Sequence, residues 1–331
     1  MSLTVRLLGT AASRPTVERN VSSVVVVREG ETLMFDCGEG TQRQMMRYGT
    51  SFALADIFFT HTHTDHVLGV IGLTRTLQLQ GRTDPLRIWG PKGSARVLRQ
   101  WSGFGGERLG YPVEIAELEP GASVKRKDYS IVAFPVDHRG ASAVGYALVE
   151  DLRRGRFNPD LARELGVPEG PMWGELHRGR AVTLPDGRVV EPGTLVGPTR
   201  AGRRIVITGD TAPVDTVRVL SEGADVLVHE ATFSEDERQR AAETLHTTAR
   251  QAGELAAAAD VRLLALTHFS PRYFGPELLE EALAVFPRAV APRDFDVIEV
   301  PFAERGEPRL VRRGARPPRN DVPSELPGAV S

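Results

Sequence analysis

Asp56-Ile-Phe-Phe-Thr-His-Thr-His-Thr-Asp-His66 is an apolar run that passes without a break into three histidines and an aspartate. The Ile-Phe-Phe portion reads as the end of a buried strand, so residues 61–66 form the turn at its tip. In a core, imidazoles and a carboxylate this close would repel and desolvate one another. A divalent cation gives each of them a partner. Alternate residues of an extended turn point the same way, so His61 and His63 can grip one ion while Asp65 and His66 turn toward a second. A solvated His-rich loop is the plainer alternative, and the spacing argues against it.

A binuclear centre needs further ligands from elsewhere in the chain. Three segments repeat the same pattern of an apolar run ending in a donor: Ile131-Val-Ala-Phe-Pro-Val-Asp-His138, Arg204-Ile-Val-Ile-Thr-Gly-Asp210 and Leu263-Leu-Ala-Leu-Thr-His268. A single strand-end His or Asp is more often a hydrogen-bonded structural residue. Recurrence beside the histidine cluster reverses that reading.

Other stretches carry more specific information: Leu8-Gly-Thr10, Arg19-Asn-Val-Ser-Ser23, Phe35-Asp-Cys-Gly-Glu-Gly-Thr-Gln42, Gly90-Pro-Lys-Gly93, Gly170-Pro171, His229-Glu-Ala-Thr-Phe233 and His246-Thr-Thr248. With the metal-type loop, they resemble ribonuclease Z of the metallo-β-lactamase superfamily, in its short bacterial form, from about residue 3 to 300. The resemblance implies an α/β fold, the αβ/βα four-layer sandwich, with a projecting substrate-binding arm. It implies two Zn²⁺ per subunit, with Mn²⁺ or another divalent ion as substitutes that the same N/O donors accept. His61, His63 and His138 would hold one ion, Asp65, His66 and His268 the other, and Asp210 would bridge them.

The implied reaction is hydrolysis of a phosphodiester in precursor tRNA, removing the 3′ trailer and leaving a 3′-hydroxyl on the tRNA and a 5′-phosphate on the trailer. Asp65 would double as acceptor of the nucleophile's proton. His246, oriented by Glu230, would protonate the leaving oxygen. Asp36 would support the metal loop through hydrogen bonds, which is compatible with a simple turn-stabilising role. Arg19, Asn20, Gly170, Pro171 and Thr247 would meet the substrate, and the chain would act as a homodimer.

Two positions depart from the family pattern. Thr64 stands where glycine is usual, which requires negative φ or compensated strain there. Val17 replaces a frequent lysine near the scissile phosphate.

Composition adds limits. A net charge of −2 gives no overall basic bias, so any RNA-binding patch must be local. Ten arginines against six acidic residues in 153–204 make that insertion the expected patch, and recognition there would rest on shape and phosphates rather than on sequence. His177, in a charged, Gly-containing stretch, reads as solvent-exposed. The one cysteine, Cys37, excludes an intrachain disulfide and suits a reducing compartment. No basic-then-apolar leader precedes Leu3 and no apolar run is long enough to span a membrane, so a cytoplasmic protein is expected.

The expected organisation is one domain over 1–304, with the arm inserted at about 153–204, and a disordered Arg/Pro-rich tail over 305–331. Strands are expected at 3–8, 22–27, 32–35, 56–59, 204–208, 224–228 and 262–267, and helices at 67–79, 214–221, 248–259 and 276–286. A related hydrolase acting on small phosphodiesters, sulfates or esters would use the same ligands without needing the arm or the His246-Thr-Thr248 loop. A di-iron flavoprotein partner would carry Glu in place of His63.

Overall fold

Residues 2–103, 108–138 and 142–312 are described by a computed structural model. Among them, eight strands form one sheet in the spatial order Arg309–Val311, Val297–Glu299, Leu3–Gly9, Ser23–Arg28, Glu31–Phe35, Leu54–Phe58, Leu86–Pro91 and Val113–Leu118. Seven form a second: Ala289–Val290, Leu264–Thr267, Val226–Glu230, Arg204–Ile207, Val144–Glu150, Tyr129–Pro135 and Ser123–Lys125. Each sheet is parallel on one flank and antiparallel on the other.

Period-two alternation sorts the side chains into layers. Val24, Val26, Leu33, Phe35, Ile205, Ile207, Val226 and Val228 meet between the sheets. Their neighbours Val25, Met34, Val206 and Leu227 face outward and are buried by helices. Gly69–Leu79 covers the first sheet with Val70, Leu73 and Leu77, and Ala249–Ala258 covers the second with Ala249, Ala252 and Ala256. The strands therefore read as continuous apolar runs because both of their faces are buried. Arg28 of the first sheet and Glu150 of the second form a buried ion pair, which Arg203 completes from the second sheet's side.

Residues 153–204 are not structureless. They hold the helices Pro159–Glu164, Pro171–His177 and Pro192–Leu195 and the hairpin Val182–Thr183/Val189–Val190, packed around their own core of Ala162, Val167, Leu176, Leu184 and Leu195. Arg153 pairs with Arg200 across the base of the insertion, and both guanidiniums bind Glu304. Four of its arginines form ion pairs within it: Arg163 with Asp160 and Glu169, Arg178 and Arg180 with Glu175, and Arg188 with Asp186. These internal pairs leave the excess counted from sequence unchanged, and only Glu304 and Glu150 of the body offset part of it, through Arg153, Arg200 and Arg203.

The first residues of the stretch expected as a tail, 305–312, are structured. Arg309–Val311 is an edge strand paired with Val297–Glu299, and Leu310 packs against the inter-sheet core. Residues 313–331 lie outside the described residues. No helix among the described residues is long and apolar enough to cross a membrane.

Candidate metal centre

Strands that run in parallel deliver their C-terminal ends to one rim of the sandwich, the usual location of sites in open α/β sheets. Leu54–Phe58 leads to residues 61–66, Arg204–Ile207 to Asp210, Val226–Glu230 ends in Glu230, and Leu264–Thr267 leads to His268. Tyr129–Pro135 brings His138 to the same rim. Two of these turns need special backbone. Gly209 has φ +64°, and a Cβ there would stand 2.6 Å from Thr60 Cβ, so only glycine can deliver Asp210. His268 and Asp36 both hold positive φ (57°), strain of the kind found at functional turns. Thr64 causes none, because it opens the short helix Thr64–Val67 with negative φ.

The seven donors expected from sequence converge. His61 Nε2 and His138 Nε2 lie 3.0 and 3.1 Å from His63 Nδ1. His66 Nε2 and His268 Nε2 lie 3.7 and 3.5 Å from Asp65 Oδ2. Asp210 Oδ2 stands between the two groups, 3.7 Å from His61, 3.9 Å from His138, 3.4 Å from His66 and 3.2 Å from His268. Ligands about 2.0–2.2 Å from a shared tetrahedral ion stand about 3.3–3.6 Å apart, and these separations bracket that range.

The residues fit cations on a second ground. His66 Nε2, His268 Nε2 and Asp210 Oδ1 are buried without a hydrogen-bond partner among the described residues, a costly arrangement unless an ion completes it. The opposite ring nitrogens are committed. His61 Nδ1 donates to Thr60 Oγ1 (3.0 Å), His66 Nδ1 to Asp36 Oδ2 (2.8 Å), His138 Nδ1 to the Leu245 carbonyl (3.2 Å) and His268 Nδ1 to Thr232 Oγ1 (2.9 Å). Each bond holds its ring with Nε2 turned toward the cluster. Asp36 also accepts from Thr60 N–H and Oγ1, so it anchors two ligand-bearing segments at once.

Electrostatics point the same way. Burial and the neighbouring His66 hold His61 well below the usual imidazole range. At His66, burial opposes the charge, but Asp210 and Asp36 outweigh it and hold the ring well above that range. Asp210 and Asp65 stay ionised despite burial because imidazoles surround them. The cluster thus favours positive charge at its centre. Cys37 is no competitor, since burial pushes its thiol up to about 12.

Beside the cluster, His246 Nδ1 donates to Glu230 Oε1 at 2.8 Å. The fully buried Glu230 also accepts N–H groups from Thr211 (2.8 Å) and Thr247 (3.1 Å) and the Thr232 hydroxyl (2.5 Å). Burial works against charge on His246, but Glu230 overrides it and raises the ring to about 9. His63, Asp65 and His246 are the exposed or half-exposed members, so the cluster opens to solvent on their side.

The structure reassigns some expected substrate contacts. Thr247 is fully buried with its hydroxyl donating to Thr211 O (2.6 Å), so it braces Glu230 instead of meeting substrate. Arg19 Nη1 is spent on Thr10 Oγ1 and Pro292 O, with the guanidinium over the Phe269 ring. Asn20 Nδ2 donates to Glu39 O. Both residues tie loops together at the rim. Gly170 and Pro171 are exposed at the start of the arm helix, far along the chain from the cluster, and His177 is exposed at its end. Sequence reasoning missed Thr60, Thr232, the Leu245 carbonyl and Ser13, whose N–H donates to Asp65 Oδ2 at 2.7 Å. Thr60 and Thr232 adjoin motif residues and could have been flagged. A backbone carbonyl or amide leaves no trace in side-chain pattern.

Comparison with known proteins agrees with this geometry. The family model described as "Beta-lactamase superfamily domain" matches residues 31–201 and 193–269. The chain is 61% identical to a ribonuclease Z of Gemmatimonas aurantiaca, over 92% of this chain and 98% of that one. Identity to a ribonuclease Z of Myxococcus xanthus is 52%, over 82% and 88%. The crystal structure of the short form of human tRNase Z superposes with a TM-score of 0.66 at 28% identity, covering 90% of this chain and all of that one. The metallo-β-lactamase sandwich expected from sequence is therefore the fold, and the chain belongs to the ribonuclease Z family.

Proposed function

We propose that this chain is a metal-dependent endoribonuclease that removes the 3′ trailer from precursor tRNA. One observation carries the reading: a seven-donor His/Asp cluster adjoins a Glu230–His246 pair in a chain 61% identical to a ribonuclease Z. His61, His63, His138 and Asp210 would hold one divalent ion, and Asp65, His66, His268 and Asp210 the other. Zinc is the expected ion, and manganese also suits these donors. Ions held there would supply Lewis acidity for the phosphoryl oxygens and acidify an attacking water.

The protein's own groups do the rest. Asp65, half-exposed and fixed by Ser13 N–H, accepts the proton of the attacking water. Attack in line with the bond to the tRNA 3′ oxygen breaks that bond. His246, kept protonated by Glu230, gives its proton to the departing oxygen. The products are a 3′-hydroxyl on the tRNA and a 5′-phosphate on the trailer.

The arm, with its own core and its exposed Gly170-Pro171 tip, would grip the body of the tRNA by shape. Two-fold pairing of subunits is the commonest oligomeric arrangement and would let one subunit's arm serve the other's site. A single buried thiol is consistent with work in a reducing cytoplasm. The deciding experiment is incubation of purified, metal-defined protein with precursor tRNA and mapping of the cut ends. Hydrolysis of small aryl phosphodiesters with an intact precursor would instead assign a small-substrate hydrolase.

A further inference from the structure

Outside the arm, the body of the protein carries a second concentration of positive charge. Residues 13–20 lead to it. Ser13 N–H reaches Asp65 of the cluster, while Thr16 and Val17, further along the same loop, line a cavity of about 620 Å³. Three residues span at most about 11 Å, so cavity and cluster are near neighbours. Arg43 and Arg47, four apart on one face of the helix Thr41–Tyr48, and Arg293 line the same cavity. All three are exposed, and none forms an ion pair among the described residues.

The nearby carboxylates do not neutralise them. Asp294 turns inward to accept from Thr10 Oγ1, Asn20 N–H and Gln44 Nε2. Asp296 is taken by Arg293 N–H and Arg312. Glu18 stands exposed at the rim and offsets part of the charge. Tyr48 and Phe295, both half-buried, lie side by side in the same lining, with the Arg47 guanidinium 5.7 and 5.6 Å from their ring centroids. A basic concavity interleaved with aromatic faces is the combination that binds single-stranded nucleic acid, and its volume suits a nucleotide rather than a duplex.

We propose that this cavity binds a single-stranded nucleotide of the RNA substrate, with a phosphate against Arg43, Arg47 and Arg293 and a base against Tyr48 and Phe295. The inference rests on the ribonuclease reading above. The nucleotide can come from the 3′ end of the tRNA or from the trailer, and the test separates these sources.

The measurement is fluorescence anisotropy of a labelled single-stranded oligoribonucleotide with the full chain across a salt series, with thermal unfolding followed in parallel. The double variant Arg43→Ala/Arg47→Ala should bind about tenfold more weakly, and its log–log salt slope should fall by about 0.7 for each phosphate it no longer neutralises. Arg43→Lys/Arg47→Lys should retain the slope, and Phe295→Leu should weaken binding without changing it. Cleavage of precursors with graded trailer lengths then locates the nucleotide. A KM defect that grows with trailer length places it in the trailer, and an equal defect at every length places it in the tRNA. Wild-type affinity and KM in the double variant would overturn the proposal, as would an acidic peptide of matching charge competing as well as RNA. Arginine-dependent oligonucleotide binding without any cleavage of precursor tRNA would instead defeat the functional reading and leave the cavity's role standing.

Discussion

The carboxylate of Glu230 lies 2.8 Å from His246 Nδ1 and has no exposure to solvent, so the charge that keeps His246 protonated is shielded from competing water. Glu230→Gln preserves shape and one accepting oxygen while deleting that charge, and its amide N–H₂ then faces the Thr232 and Thr247 donors that the second carboxylate oxygen had accepted. The expected result is a fall in kcat of about 10²–10³ with little change in KM, measured on precursor tRNA. An unaltered kcat would remove His246 from its role as acid.

Chelation should abolish cleavage, and activity should return on adding zinc or manganese. The apo protein should also unfold at lower temperature, because His66 Nε2, His268 Nε2 and Asp210 Oδ1 are then left buried without partners. Elemental analysis is expected to give two equivalents of metal per chain, and Asp210→Ala to lose both. One tightly held equivalent in that variant would argue against a bridging carboxylate.

Asp36 touches no cluster donor atom that faces the centre, yet it holds His66 Nδ1 and both hydrogen-bonding groups of Thr60. Asp36→Ala should therefore weaken metal affinity by about 10–100-fold. Activity should recover at high metal concentration. Failure to recover under saturating metal would mean that the residue does more than orient ligands.

Replacing residues 160–199 by a short linker should abolish cleavage of precursor tRNA while sparing hydrolysis of a small aryl phosphodiester. The two strands at the arm's base are already adjacent, with Arg153 bridged to Arg200. Equal loss on both substrates would show that the arm supports the catalytic body instead of the substrate.

Asp294 gives a pH signature of stability. Burial, which outweighs the hydrogen bonds from Asn20 and Thr10 and the nearby Arg19, raises its carboxyl to about 6. The folded protein then binds this proton more tightly than the unfolded chain does. Its contribution, roughly 3 kcal/mol, is complete below pH about 4 and is lost as pH rises through about 6. Urea unfolding across that range should show the decline in the wild type and a flatter profile in Asp294→Asn.

Much of this architecture is legible in the chain because its causes are local. The run into His61–His66 and the repeated strand-end donors point to the ligand set, since parallel strands must deliver their ends to one rim. The strands Leu86–Pro91, Val113–Leu118 and Val144–Glu150 are not among those expected. None of the three leads into a residue of the cluster, so no donor pattern marks them in the chain. Thr247 reads as a substrate contact from its position beside His246, but packing turns it inward. Counting arginines in 153–204 cannot reveal that their partners lie within hydrogen-bond reach. The edge strand Arg309–Val311 hides in an Arg-rich stretch because its docking depends on a neighbouring strand rather than on its own pattern.

Because residues 153–204 enclose a small core of their own and meet the body through a narrow base clamped by Glu304, the proposed grip on substrate is built apart from the metal-facing donors. Evolution can lengthen, reshape or discard that module without moving a single metal-facing donor. Divergence among relatives should therefore accumulate in how they hold RNA well before it reaches how they break it.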